Sequence, residues 1–559
     1  MWRRREHDPV APSGAIRRAQ ISFAAMWASE GAFTVGLAVV AFHDGGATAV
    51  GIVTAARMAV AALLAPWLAT VADRVRRERV LTCVGLVRAA TLGGIAAVTA
   101  GGGPTTLTYG LAVLATVAQV LYRPAHSALL PALCRSPEQL TRANAVRGLL
   151  DSSATLGGPA VAAVLLAVSG PTAVFEACAA ASLLGGLVVV GLSYDAPPRS
   201  EAATGGGREL LRGFTVIARD RTLALVTSLG VVQTFTRGCL TVFTVVVAID
   251  LLGTGNAGVG VLTAAVGAGG MLGSLLAFGL VGRGRLASWF GVGIALFGAP
   301  LVLLGFVGEP LPAILLLGVV GIGNALIDVG GFTLLARLVD ETVLARMFAG
   351  FEAILTLGVA AGSLAAPLVV DLIGLRPALV VIGLLAPLAV IASRPRLRSM
   401  DAGLRVRDAD VATLRSIHML SVLPLATIEQ LAGALEHAEL EPGQTAFREG
   451  DRGEHFYIVR AGRAEVLVGG HVVRTLGPGE CFGEIALLQD RPRTATVRAT
   501  ADARLGVSRL GRGAYLTAVT GYPAAAAAGD DLVTSRLEAD ANRREDSGLG
   551  GDAPWAPET

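Results

Sequence analysis

Residues 482–499 read FGEIALLQDRPRTATVRA. A glycine, an acid and small residues (Gly483, Glu484, Ile485, Ala486) stand a short way ahead of Arg493 and Thr494. A helical turn that starts on glycine offers its backbone N–H groups to an anion. Arg493 can add a charge-assisted pair to a phosphate oxygen, and Glu484 can accept a hydrogen bond from a sugar hydroxyl. The pattern points to a small ligand with a phosphate and an intact ribose 2′-OH. From Gln444 to Val507 the surrounding chain alternates in short runs punctuated by Gly450, Gly453, Gly462, Gly470, Gly479 and Gly483. That spacing predicts a β-barrel or jelly roll. Helical spacing is predicted over 418–440 and returns at about 511–541.

Upstream the composition changes character. The whole chain has 559 residues, 53% hydrophobic and 16% charged, with mean hydropathy +0.62; soluble chains carry about 25% charge. Nearly all of this apolar excess lies before Ser393. A membrane-crossing helix needs about 20 apolar residues, and twelve such stretches are predicted between 21 and 393. The polar loop 194–222 divides them into two sets of six. The predicted organisation is a basic N-terminal segment (1–20), a first six-helix half (21–193), the central loop (194–222), a second six-helix half (223–393), a linker (394–410), the sensor domain (411–541) and a disordered tail (542–559). Its fold class is a polytopic α-helical membrane protein of 12 spans followed by a β-jelly roll with flanking helices.

Arginine placement orients this body. The sequence contains no lysine. One set of connections carries Arg74, Arg76, Arg77 and Arg79, then Arg135, Arg142 and Arg147, then the arginines of the central loop. The alternate connections (HDGGAT, GGGPTT, GTGNAG) are almost free of positive charge, with Arg376 the one exception. Positive charge marks the inner face, so both termini and the sensor are expected in the cytoplasm, with the body in the inner membrane of a bacterium. Within the spans, Glu30, Arg57, Arg88, Arg237 and Asp328 are ionisable groups at membrane depth, where such groups are functional by default. The bland alternative is a set of structural ion pairs, such as Glu30 with Arg57. Asp151, Asp250, Glu352 and Asp371 fall near predicted span ends and are read as interfacial.

These features resemble the major facilitator superfamily. LATVADRVRRERV (68–80) is similar to its loop signature, with Asp73 and Arg74 matching and Ala69 and Arg76 replacing glycines. RPAHSALLPAL (123–133) with RANAV (142–146) resembles the macrolide- and enterobactin-type efflux branch, and Gly158-Pro159 the antiporter motif. The resemblance implies a secondary transporter, proton-coupled and exporting a small amphipathic molecule. It places Glu30, Arg237 and Asp328 on the transport pathway, for which Arg57 is a further candidate as a charge at membrane depth, and makes Asp73-Arg74 a cytoplasmic gate. The C-terminal stretch resembles cyclic nucleotide-binding domains: FGEIAL, PRTATV and EGDRGEHFYIVRAGRAEV (449–466) follow that family's pattern without gaps. The implied binding residues are Phe482, Gly483, Glu484, Ile485, Ala486, Arg493 and Thr494, with cAMP or cGMP as regulatory ligand.

Other classes fit less well. A cyclic nucleotide-gated channel resembles six spans with an arginine ladder, which this chain lacks. A transcription regulator would need a helix-turn-helix after the sensor, and the net charge of +3 is small for a nucleic-acid partner. Five scattered cysteines without CxxC spacing argue against a disulfide framework or a metal site. Neither a nucleophile–base constellation nor a GxxxxGK[ST] loop is present, so an enzyme is not expected. A transporter whose sensor has decayed and binds nothing stays open as an alternative.

Overall fold

The computed structural model describes residues 13–134, 137–192, 215, 217–280, 285–338 and 341–546. Two compact units divide the chain, Met1–Asp401 and Ala402–Thr559.

The first unit is helical: α1 (Ser13–Arg74), α2 (Arg77–Ala100), α3 (Thr105–Leu133), α4 (Pro137–Val168), α5 (Pro171–Val188), α6 (Arg221–Val246), α7 (Gly255–Leu280), α8 (Leu286–Leu304), α9 (Pro310–Leu338), α10 (Glu341–Ile373) and α11 (Leu375–Ser416). Among the described residues, eleven helical segments are long and apolar enough to cross a membrane. The first is 62 residues long and breaks at Gly45 and Gly46, whose φ angles of −153° and +62° no helix accommodates. Its arms, 13–44 and 47–74, each reach the length a bilayer requires, and the expected count of twelve takes them separately.

In the first half α1 packs on α3, α4 and α5, and α2 packs on α3 and α5. In the second half α6 packs on α10, and α9 on α7 and α8. The halves meet where α4 lies on α7 and α1 on α10. The contact of α1 with α4 is especially close. A Cβ on Gly158 would stand 2.5 Å from the Ala28 carbonyl oxygen, and one on Gly31 would stand 3.0 Å from Pro159. Only glycine at both positions lets the backbone of α1 settle there, which holds Glu30 against the rest of the first half.

The interior of α11 is fixed to the start of α8 through Asp401. Asp401 is 3% exposed, and its carboxylate accepts the backbone N–H groups of Ala287 (2.8 Å) and Ser288 (3.1 Å) together with the Ser288 hydroxyl. A helix start leaves such donors without intrahelical partners, and here a distant carboxylate supplies the acceptor. Residues 394–410, read as a linker, are helical throughout as part of α11.

The second unit contains α12 (His418–Ser421), α13 (Leu425–Gly433), α14 (Glu484–Leu488), α15 (Arg512–Thr520) and α16 (Pro523–Asp546) around eight strands. These are β1 (Glu436–Leu440), β2 (Thr445–Phe447), β3 (His455–Ala461), β4 (Ala464–Val468), β5 (His471–Leu476), β6 (Cys481–Phe482), β7 (Thr496–Ala499) and β8 (Leu505–Gly511). They form two four-stranded antiparallel sheets, ordered β1-β8-β3-β6 and β2-β7-β4-β5. Val459, Leu476, Phe482, Val497, Leu505 and Val507 fill the space between them. A second core, with Leu420, Ile428, Phe456, Tyr515 and Val519, seats the flanking helices on the first sheet.

One expectation is corrected here. The helical pattern of 418–440 continues only to Gly433, broken by Pro424, and Glu436–Leu440 is a strand paired along its length with β8. EHAEL favours a helix in isolation, but cross-strand pairing with a well-buried strand overrides local preference.

Candidate functional site

The cassette lies at the mouth of the second sheet. The ring faces of Tyr457 and Phe482 stack with centroids 4.9 Å apart, and Phe447 packs against both. Immediately after β6 the chain turns through Gly483 at φ +88° into α14, and no side chain caps the start of that turn. A Cβ at Gly483 would meet the Arg493 guanidinium at 2.6 Å. Glycine is therefore required twice, for the left-handed backbone and for the arginine behind it.

Arg493 is 4% exposed and is fixed on three sides. Its two terminal nitrogens donate to the carbonyls of Gly483 and His455, each at 2.7 Å, and its guanidinium lies 4.0 Å over the Phe447 ring. Glu484 is 1% exposed. One of its oxygens accepts from Arg536 of α16 at 2.6 Å. The remaining polar atoms matter for binding: Glu484 Oε2 and Arg493 Nε are buried with no hydrogen-bond partner. The cassette thus keeps one acceptor and one donor in reserve. A buried polar atom of this kind is uncommon and calls for an explanation.

The seven residues singled out in sequence, Phe482, Gly483, Glu484, Ile485, Ala486, Arg493 and Thr494, all line one cleft that opens to solvent. Phe447, Val466, Arg474, Leu476, Ala495, Val497 and Arg536 complete it. None of these seven is singled out in sequence. Phe447, Val466, Leu476 and Val497 are ordinary apolar strand positions of a jelly roll, and Arg536 lies 52 residues from its partner on a helix whose packing no local pattern encodes. Beneath the cleft, burial pushes the Cys481 thiol up to about 11, with the Glu484 charge adding to the effect.

In the membrane body the expected pathway residues separate into two groups. Glu30 pairs with Arg57 at 3.2 Å and with Arg88 at 2.7 Å, so both carboxylate oxygens are engaged. Arg57 also donates to Thr116 at 2.7 Å, and both guanidiniums face the Phe33 ring. Arg237 and Asp328 are exposed and lie apart from that group. Asp328 accepts only from Asn324, at 3.0 Å, among the described residues. The charges acting on it are those of Arg237, Arg123, Asp151 and Glu352.

Asp151 and Glu352, read as interfacial, are among the charges that act on Asp328. The side chains of Asp73 and Arg74 lie outside the described residues.

Comparison with known proteins follows the same division. Residues 21–283 match the Major Facilitator Superfamily. Residues 437–511 match the Cyclic nucleotide-binding domain family. The C-terminal part is 40% identical over 121 residues to a cAMP-dependent protein kinase regulatory subunit of Blastocladiella emersonii, covering 21% of this chain and 30% of the relative. It is 40% identical over 86 residues to a cGMP-dependent protein kinase of Toxoplasma gondii, covering 15% of this chain and 9% of the relative. The chain therefore spans less than a third of the length of either. Among solved structures, the regulatory domain of Toxoplasma gondii PKA crystallised with cAMP shares 26% identity over 25% of this chain and 52% of that one, with a TM-score of 0.22. This polypeptide thus carries a Major Facilitator Superfamily domain over residues 21–283 and a cyclic nucleotide-binding domain over residues 437–511.

Proposed function

We propose that this protein is a secondary transporter of the cell membrane whose activity responds to cAMP or cGMP. The observation that carries the regulatory half of this reading is the pair of reserved atoms in the cassette. Glu484 Oε2 suits the 2′-OH of a ribose and Arg493 Nε suits an oxygen of a cyclic phosphate, while their other atoms hold both side chains in place. A site built this way is preorganised, because little side-chain freedom is lost on binding. Relatives named for cAMP and for cGMP both match this domain, so the base is left open.

For the transport half, proton coupling is assigned to Asp328. It is exposed and, among the described residues, carries a single amide partner, so it can exchange a proton with water. Glu30 is committed at both oxygens and serves the pathway through the arginines that it holds. The mixed charges around Asp328 favour an amphipathic cargo with a polar end. Efflux is the direction that the branch resemblance favours. Arginine-rich connections on one side place both termini and the nucleotide domain in the cytoplasm of a bacterial cell.

The test uses everted membrane vesicles with an imposed pH gradient, read by a fluorescent dye while a panel of amphipathic compounds is added. A cargo is expected to collapse the gradient in wild type and not in Asp328→Asn. Cyclic nucleotide is expected to change the rate roughly 5- to 150-fold, the range of a 1–3 kcal/mol coupling. A rate indifferent to nucleotide would remove the regulatory reading, and a gradient indifferent to every compound in wild type would remove proton coupling.

A further inference from the structure

One buried cluster in the first half of the membrane body holds two arginines against one carboxylate. Arg57 is 2% exposed and Arg88 is 0% exposed, and Glu30 is the single carboxylate bonded to them among the described residues. One guanidinium charge is left over in a low-dielectric interior, where an uncompensated ion is strongly unfavourable. The hydrogen bonds show where the imbalance sits. Arg57 spends Nε on Thr116 and Nη2 on Glu30. Arg88 spends only Nη1, which donates to Glu30 at 2.7 Å and to the Ala115 carbonyl at 3.3 Å. Its Nε and Nη2 are buried without a partner.

Those two orphaned nitrogens are not a random pair. Nε–H and the neighbouring N–H of Nη2 form the side edge of the guanidinium plane, a two-pronged fork matched in spacing to the two oxygens of a carboxylate. One helical turn beyond Ala115, the amide of Gln119 is also buried with nitrogen and oxygen both unpartnered. Among the described residues Glu30 is the carboxylate bonded to Arg88; Cys178 of α5 lies within the field of its charge, but a thiol is not a substitute for an anion.

We propose that the side edge of Arg88 is a binding site for a carboxylate, supplied by the anionic end of the transported molecule. Glu30 holds the guanidinium in position through Nη1, and the ligand's carboxylate takes Nε and Nη2. Assignment of the anion to the cargo rests on the transporter reading, whereas the carboxylate site itself does not.

The test is thermal unfolding of the purified full-length chain in detergent, titrated with sodium acetate and sodium benzoate. Ionic strength is held constant with sodium chloride, whose anion offers one atom where the fork takes two oxygens. Wild type is expected to gain stability in a saturable way with both carboxylates, more with benzoate if an amphipathic cargo is the natural source. Arg88→Met leaves the balanced pair Glu30–Arg57, so it is expected to melt at or above wild type without carboxylate and to show no response to it. Arg88→Lys keeps the charge and loses the fork, and its half-saturating concentration is expected to rise at least tenfold. The proposal is overturned by an absent response in wild type, or by an equal response in Arg88→Met, which would mark a general salt effect. It is equally overturned if Arg88→Lys responds like wild type. This readout reports binding alone, so its failure leaves the gradient and nucleotide experiments standing, and their failure leaves this one standing.

Discussion

Glu484 and Arg493 are each held by one set of contacts and offer another, and this division sets what their replacement should do. Glu484→Ala is expected to weaken binding of a ribose cyclic nucleotide while leaving its 2′-deoxy analogue nearly unaffected, because only the former brings a hydroxyl to Oε2. Equal losses for both analogues, measured by calorimetry, would refute that role. The contact with Arg536 makes a second prediction. Arg536→Met leaves a carboxylate that is 1% exposed without its cation, which costs about 3–5 kcal/mol when a buried pair is broken. Adding Glu484→Gln should recover much of that loss in the double variant, as read by denaturant unfolding. Additive losses would mean that the pair contributes nothing specific. At this scale the sequence was informative for residues adjacent in the chain: Gly483, Glu484 and Arg493 stand within one short motif. Arg536, Phe447 and Arg88's vacant edge depend on which helix or strand arrives from elsewhere, and their spacing in sequence carries no sign of it.

Helices and strands were legible where their pattern was long. The apolar runs of the membrane body exceed the bilayer requirement and have few other readings. β1 was misread because five residues of mixed polarity carry little periodicity, and its partner β8 lies some 70 residues away. Helix α11 was also only partly visible: charge returns after Ser393, yet the backbone stays helical to Ser416. Asp401 supplies one local reason, since it must be held on that helix to reach the start of α8. Asp401→Ala should remove the acceptor of two backbone N–H groups and lower stability by about 0.5–2 kcal/mol, the range for losing a helix-start acceptor. Asp401→Asn, which keeps one acceptor oxygen, should lose less. Unfolding temperatures of the purified chain check both, and an unchanged Asp401→Ala would show that water replaces the carboxylate at no cost.

The whole molecule combines a membrane body with a ligand-sensing domain, and a signal passes between such parts only if the ligand prefers one state of the transporter. The membrane body was legible from composition, the domain from its cassette, and neither discloses the cargo. The charges that act on Asp328 are not legible as a group in sequence because Arg123, Asp151, Arg237, Asp328 and Glu352 come from five different helices. Binding of a cyclic nucleotide through Arg493 is measured by calorimetric titration of the purified full-length protein with cAMP and with cGMP, in wild type and in Arg493→Ala. Saturable heat is expected with at least one nucleotide in wild type, with a loss of roughly 2–5 kcal/mol in the variant, as for truncating one partner of a buried charged contact. Binding of equal strength in Arg493→Ala, or no binding of either nucleotide by wild type, would contradict it.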